Sequence, residues 1–247
     1  MYTHGIVDSN QKIVSSGLVL SLDAAQLRSY PTTGTSWVDL SGNGYNNTLT
    51  NGPIFNSANG GNITFDGSND YALGNNSLAS RITTAITIIV FAKVPNMNNR
   101  VPLFTKYQTT LPGGYLLEVG TTGTLWTRTM RFFAQGNNNP SYSSDYRGNV
   151  QLSSNTVYMF TAQYSPLQSI MKMYYNTTEM TANQTNANWT NVFQWGAGTN
   201  PYYIGAYSPS VGVYGNSNIY NTLIYDRILS ITEITQNYNA LKSRFGL

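Results

Sequence analysis

The chain has 247 residues, no cysteine and 9% charged residues, with Lys+Arg 13 against Asp+Glu 10, a net charge of +3 and a pI of about 9.0. These facts exclude disulfides and thiolate metal centres, and the scattered basic residues lack the concentrated face of a nucleic-acid binder. The length suits one all-β domain, which can run to ~250 residues, and with charge far below the ~25% of typical domains, solubility rests on Asn, Ser, Thr, Gly and Tyr.

Residues 1–16 are polar and carry the one histidine, His4. They lack a basic start followed by an apolar block, so they are expected to form an N-terminal arm rather than a secretion leader. Residues 18–23 (LVLSLD) are the first expected strand, and 37–51 form a turn-rich connection that ends in a short one. Residues 63–65 and 71–73 flank a Gly-Ser-Asn turn between Asp66 and Asp70. The β-branched run 83–94 (TTAITIIVFAKV) reads as a strand buried on both faces and is too short to cross a bilayer. Strands are expected at 101–107, 115–119 and 125–134, spaced as in a sandwich. Segments 157–164 and 170–175 read as a hairpin around Ser165-Pro166-Leu167-Gln168, with Val157, Met159 and Thr161 on one face. The last strands fall at 202–207 and 219–225. The period then changes: Ser230 and Glu233 make a capping box, and Ile231, Ile234, Tyr238, Leu241 and Phe245 recur at helical spacing before Gly246. No repeat or linker interrupts residues 17–247, which are expected to form one domain.

Three blocks carry a resemblance. They are GLVLSLD at 17–23 with WVDLSGNG at 37–44 and FDGSNDY at 65–71; the paired segments 157–175 ending in a Tyr-x-Asn turn; and YGNSNIY at 214–220 running into IYDRILS at 224–230 with Glu233 and Ile234. Together they resemble the laminin G-like branch of the concanavalin A-like lectin/glucanase superfamily over residues 17–247. The sequence departs from that pattern at Thr177, where the family has a glycine after the turn. The short arm, the Leu22–Ala25 stretch and the ending 237–247 are similar to stand-alone domains among virion proteins of tailed bacteriophages, notably marine and cyanobacterial ones. The resemblance implies a jelly-roll sandwich of two antiparallel sheets with one short C-terminal helix, and residues 18–22 beside 219–225. It also implies a place on a virion surface, after assembly in the host cytoplasm.

Glucanases of this superfamily need two carboxylates about 5–5.5 Å apart. The chain has three glutamates: Glu118 has no acid at 116, 120 or 121, Glu179 lies in a turn, and Glu233 caps the helix. With no Gly-x-Ser-x-Gly elbow, the chain reads as a non-enzyme. Asp66, Asn69 and Asp70 have two readings: carboxylates that brace a turn, or oxygen ligands of calcium, which takes six to eight such donors. Asp23 and Asp226, on the terminal strands, are expected to pair with backbone or with Arg28 or Arg227. For sugar binding the loop aromatics are the candidates: Trp126, Tyr142, Tyr146, Trp189 and Trp195, each near Asn, Ser or Arg, the alternative for each being packing at a sheet edge. Six Asn-x-Ser/Thr sites are the chance yield of an Asn- and Thr-rich chain.

The expected function is that of a lectin-like virion surface protein, as capsid decoration or fibre component, touching glycans through exposed loops. The arm would attach it to other virion proteins, and the sandwich is expected to self-associate. The alternatives are a capsid cement protein without sugar binding and a cellular carbohydrate-binding module or adhesin. Neither nucleic acid nor membrane insertion is expected.

Overall fold

Short runs of β-branched and aromatic residues, punctuated by Gly and Asn, set the chain into strands, and the segment with a 3.6 period becomes the C-terminal α-helix. The computed structural model describes residues 12–75, 77–78, 82–106, 114–121, 127–135, 143–187 and 201–247. In chain order the strands are β1 Leu18–Asp23, β2 Ser36–Trp37, β3 Asn47–Thr50, β4 Ile54–Asn56, β5 Asn62–Asp66, β6 Tyr71–Leu73, β7 Ile86–Lys93, β8 Val101–Lys106 and β9 Gly114–Gly120. They continue with β10 Thr129–Gln135, β11 Ser143–Gly148, β12 Val157–Ser165, β13 Ile170–Tyr175, β14 Thr178–Met180, β15 Ala182–Ala187, β16 Tyr203–Ile204 and β17 Asn216–Tyr225, before helix α1, Ile231–Leu241.

The strands form two antiparallel sheets of a jelly-roll sandwich. One runs β14-β13-β12-β7-β17-β5-β4, with β1 also on β17; the other runs β15-β11-β10-β9-β8-β16-β6-β3-β2. The first and last strands lie side by side as expected, Leu18 opposite Tyr225 and Asp23 opposite Asn221. One edge of β17 pairs along β7. The other is shared, Asn216–Ile219 with β5 and Asn221–Tyr225 with β1.

Strand β7 is buried on both faces, as its continuous apolar run predicts. Ile86, Ile88, Val90 and Ala92 enter the core between the sheets, while Ile89 and Phe91 enter a second cluster on the outer side. That second cluster is closed by Val14 from the N-terminal segment and by Ile234, Leu241 and Phe245. The capping box forms: the Ser230 side chain accepts from the Glu233 N–H, and the Glu233 carboxylate accepts from the Ser230 N–H. Ile231 departs from the expected apolar face. It sits at the first helical position, 50% exposed, and the buried stripe is Ile234, Asn237 and Leu241.

An amide therefore occupies the middle of the helix's buried face. Asn237 Oδ1 accepts from the Val14 N–H at 2.8 Å and from the Tyr225 hydroxyl at 3.3 Å. Residues 12–16, the described part of the expected arm, are held here, and Val14 is buried. Other departures have plain causes. The strand expected over 202–207 is cut to β16 by Gly205, whose φ of 82° leaves the extended region. β11 (SSDYRG) and β15 (ANQTNA) lack the apolar alternation that signals a strand. Among the described residues no helix is long and apolar enough to cross a membrane.

Replacing Asn237 with Ala strands the buried Val14 N–H, so urea unfolding is expected to show a loss on the order of 2 kcal/mol; an unchanged midpoint would remove this role. The hydrogen bond from Arg227 brings the Glu233 carboxyl down from 4.5 to about 2. A depressed acid stabilises the fold above its unfolded pKa. That contribution is present above about 4.5 and lost as pH falls toward about 2. Acid titration of thermal stability should show this component in the parent and not in Glu233→Gln.

Candidate functional site

Strands β9 and β10 alternate strictly. Tyr115, Leu117 and Val119, with Met130, Phe132 and Ala134, point into the core. Glu118 and Arg131 therefore lie on the opposite, outer face of the sheet. The register sets Arg131 directly across from Glu118 on one side and from Arg147 of β11 on the other. These residues, with Arg100, Asp145 and Tyr207, form a continuous charged ladder.

Its geometry is specific. Arg100 donates to both oxygens of Glu118, Nη2 to Oε1 at 3.0 Å and Nε to Oε2 at 3.3 Å. Arg131 bridges the two acids, with Nη1 to Glu118 Oε1 at 2.9 Å, and Nε and Nη2 to Asp145 at 2.8 and 3.1 Å. Arg147 donates to Asp145 Oδ2 through Nη2 at 2.8 Å and Nε at 3.2 Å. The Tyr207 hydroxyl donates to Glu118 Oε2, and the Arg100 guanidinium stands 5.2 Å over the Tyr207 ring. Paired N–H···O bonds fix the guanidinium planes and make these the strong, directional kind of ion pair. Burial pushes the Asp145 carboxyl up, but the hydrogen bonds from Arg131 and Arg147 outweigh it and hold it below the usual range. Burial, then the charge of Glu118, pushes the Tyr207 phenol up.

Among the described residues, three arginines face two carboxylates in this ladder. Glu118 is fully buried, whereas the Arg100 and Arg147 side chains keep 41% and 21% exposure. The ends of the ladder thus present held but accessible guanidinium groups. Sequence spacing missed this site because its members lie on β9, β10, β11 and two loops. The available signal was that several of the chain's few charges sit on strands that otherwise face a core.

Tyr146 does not belong to a loop. It lies on β11 between Asp145 and Arg147, so it faces the other way and packs half-buried against the core, which corrects its assignment as a loop aromatic. Burial and, less, the charge of Glu179 raise its pKa. Trp126, Tyr142, Trp189 and Trp195 lie outside the described residues.

Asp66, Asn69 and Asp70 are brought into one turn. Asp66 Oδ1 accepts from the N–H groups of Ser68 at 2.7 Å and Asn69 at 3.4 Å, and Asp70 Oδ2 accepts from the Asp66 N–H at 3.1 Å. The bond from Ser68 dominates in lowering the Asp66 pKa, while burial, and less the neighbouring Asp66 charge, raise that of Asp70. Gly67 has φ +80°, and a Cβ there would lie 2.9 Å from the backbone nitrogen of Asn216, so both conformation and space require glycine. Among the described residues no three His, Asp or Glu groups converge as a metal cluster. A calcium ion at this turn would take its remaining ligands from amide and main-chain oxygens. On the terminal strands, Asp23 Oδ1 accepts from the Ala25 N–H at 3.0 Å, the expected backbone bond, and Asp23 pairs with Arg244 at 2.7 and 2.9 Å in place of Arg28 or Arg227.

Glu118→Gln removes the charge shared by two arginines, and unfolding should show a loss of about 3–5 kcal/mol. Arg100→Ala, at the exposed end, is expected to cost no more than ~1 kcal/mol. Equal losses would mean the ladder is not organised around the buried glutamate.

No protein-family model matches the sequence. No match is found among curated proteins. Solved structures do match. Trypanosoma rangeli sialidase is 14% identical with a TM-score of 0.60, over 92% of this chain and 33% of that one. A botulinum neurotoxin type C chain, characterised for its interaction with two ganglioside molecules, is 11% identical with a TM-score of 0.66, over 92% and 52%. The binding domain of botulinum neurotoxin DC in complex with SialylT is 12% identical with a TM-score of 0.67, again over 92% and 52%. The chain thus spans about a third of the sialidase and about half of the toxin chains, with which it shares the lectin-like β-sandwich fold. This finding corrects the expectation of a non-enzyme. Sialidases stand beside toxin binding domains among the chains of this fold, so the fold carries no assignment against catalysis.

Proposed function

We propose that this chain is a lectin-like protein that binds glycans, with the exposed ends of the charged ladder as a contact surface. The observation that carries this reading is the ladder itself. Arg100 and Arg147 are accessible, yet their guanidinium groups are already fixed by Glu118 and Asp145. A ligand oxygen meeting them encounters donors whose side-chain freedom is largely spent, which lowers the cost of binding. Support comes also from toxin chains of the same fold, one whose cell entry depends on interaction with two ganglioside molecules and one in complex with SialylT. Trp126, Tyr142, Trp189 and Trp195 remain the proposed stacking partners for sugar rings.

The finer reading is a place on a tailed-phage virion, as capsid decoration or fibre component, in a homo-oligomer. Its support is the likeness of the short arm, the Leu22–Ala25 stretch and the ending 237–247 to stand-alone domains of tailed-phage virion proteins, with a charge-poor, amide-rich composition. In this reading the arm expected at residues 1–16 attaches the chain to another virion protein through the part before residue 12, since Val14 is buried in the fold, and calcium at Asp66, Asn69 and Asp70 braces the loop end of the sandwich.

A glycan array with the purified protein, run in calcium and then in chelator, tests the main reading. Binding is expected, and Arg147→Ala should weaken it at least about tenfold, the effect of losing ~1.4 kcal/mol of contact. A blank array, or binding indifferent to Arg147, would overturn it. Signal lost in chelator would support the calcium site, and signal unchanged would remove calcium from the proposal. Deleting residues 1–11 should release the protein from particles with its thermal midpoint unchanged; full retention would sink the attachment role.

A further inference from the structure

On the opposite side of the sandwich, a cleft of ≈ 430 Å³ opens between β1, β17 and α1. Its volume falls in the ~300–1,000 Å³ range of small-molecule sites. The floor is made by outward-facing residues of the two paired terminal strands, Ser21 and Asn221. They are 4% and 2% exposed. Neither side chain makes a hydrogen bond among the described residues, and Asn221 Oδ1 is fully buried without a partner. A buried amide left unbonded is unfavourable, and this one belongs to a residue that lines the cleft.

The rim supplies charge. Arg244 is neutralised by its two bonds to Asp23 at 2.7 and 2.9 Å. Arg28, also at the cleft, is exposed and forms no ion pair or hydrogen bond among the described residues. One wall is apolar, with Leu18 and Leu241. The cleft therefore offers one unspent guanidinium, an amide and a hydroxyl on the floor, and an aliphatic surface between them.

We propose that this cleft binds a monosaccharide-sized sugar acid. Its carboxylate would pair with Arg28, its hydroxyls would bond Asn221 and Ser21, and the apolar face of its ring would lie on Leu241. A single free guanidinium matches a monoanion, since a planar carboxylate takes two parallel N–H bonds from one arginine. A phosphate dianion would call for more cationic partners than the cleft provides.

Isothermal titration calorimetry of the full chain with D-glucuronate, N-acetylneuraminate and the neutral methyl glucoside tests this directly. At least one acid is expected to bind, with the glucoside at least about tenfold weaker. Arg28→Gln, at an exposed position that leaves folding intact, should weaken acid binding about tenfold or more, and Asn221→Ala, with its fold checked by circular dichroism, should weaken it too. No binding of either acid up to about 10 mM, equal binding of the neutral glucoside, or acid binding indifferent to Arg28→Gln would each overturn the proposal.

Discussion

The pairing of β17 is the constraint from which the rest of the structure follows. Nine of its ten residues are buried, so both of its faces and both of its edges must be covered. The edges are met by β7 on one side and by β5 and β1 in succession on the other. This arrangement ties the start of the domain to its end, because β1 contributes only where β5 has stopped. One face then becomes the core against the second sheet, and the other requires a separate cover.

Helix α1 and the segment before β1 provide that cover. Leu223 and Tyr225 of β17, with Ile89 and Phe91 of β7, would otherwise face water. The helix brings Ile234 and Leu241 onto them, and Phe245 stacks obliquely on Phe91 and Tyr220 with centroids 5.2 and 5.1 Å apart. Asn237 is the polar exception, and its use is clear from its partners: it fixes the N-terminal segment and the Tyr225 hydroxyl at once. The cleft beside α1 belongs to the same arrangement, with Ser21 and Asn221 of the paired strands on one side and Ala240 and Leu241 of the helix on the other.

The second sheet solves a different problem. Its outer face holds a buried glutamate, which would be costly alone. Two arginines and a tyrosine meet it, and Arg131 passes the compensation on to Asp145 and Arg147. Such a network is weak as a source of stability but strong as a source of fixed geometry. That is the property a recognition surface needs, and it places the candidate glycan contact and the sugar-acid cleft on opposite faces of one sandwich.

Composition and local pattern determined much of this protein. Alternation and β-branched runs set the strands around 18–23, 86–93 and 157–175, and a capping box with helical spacing set α1, because those signals depend only on neighbours along the chain. The Asp66–Asp70 turn was legible for the same reason. Tertiary structure decided the remainder. β11 and β15 are strands because their partners bond them, not because their residues favour it. Glu118 looked isolated along the sequence and gained its partners only when β9 and β10 came into register and the loops carrying Arg100 and Tyr207 met them. Asn221 and Arg28, far apart in the chain, meet at one cleft only through the pairing of β1 with β17. Sequence reports what lies within a few residues; contacts across a sheet are set by register, and register is settled by which faces the whole fold must bury.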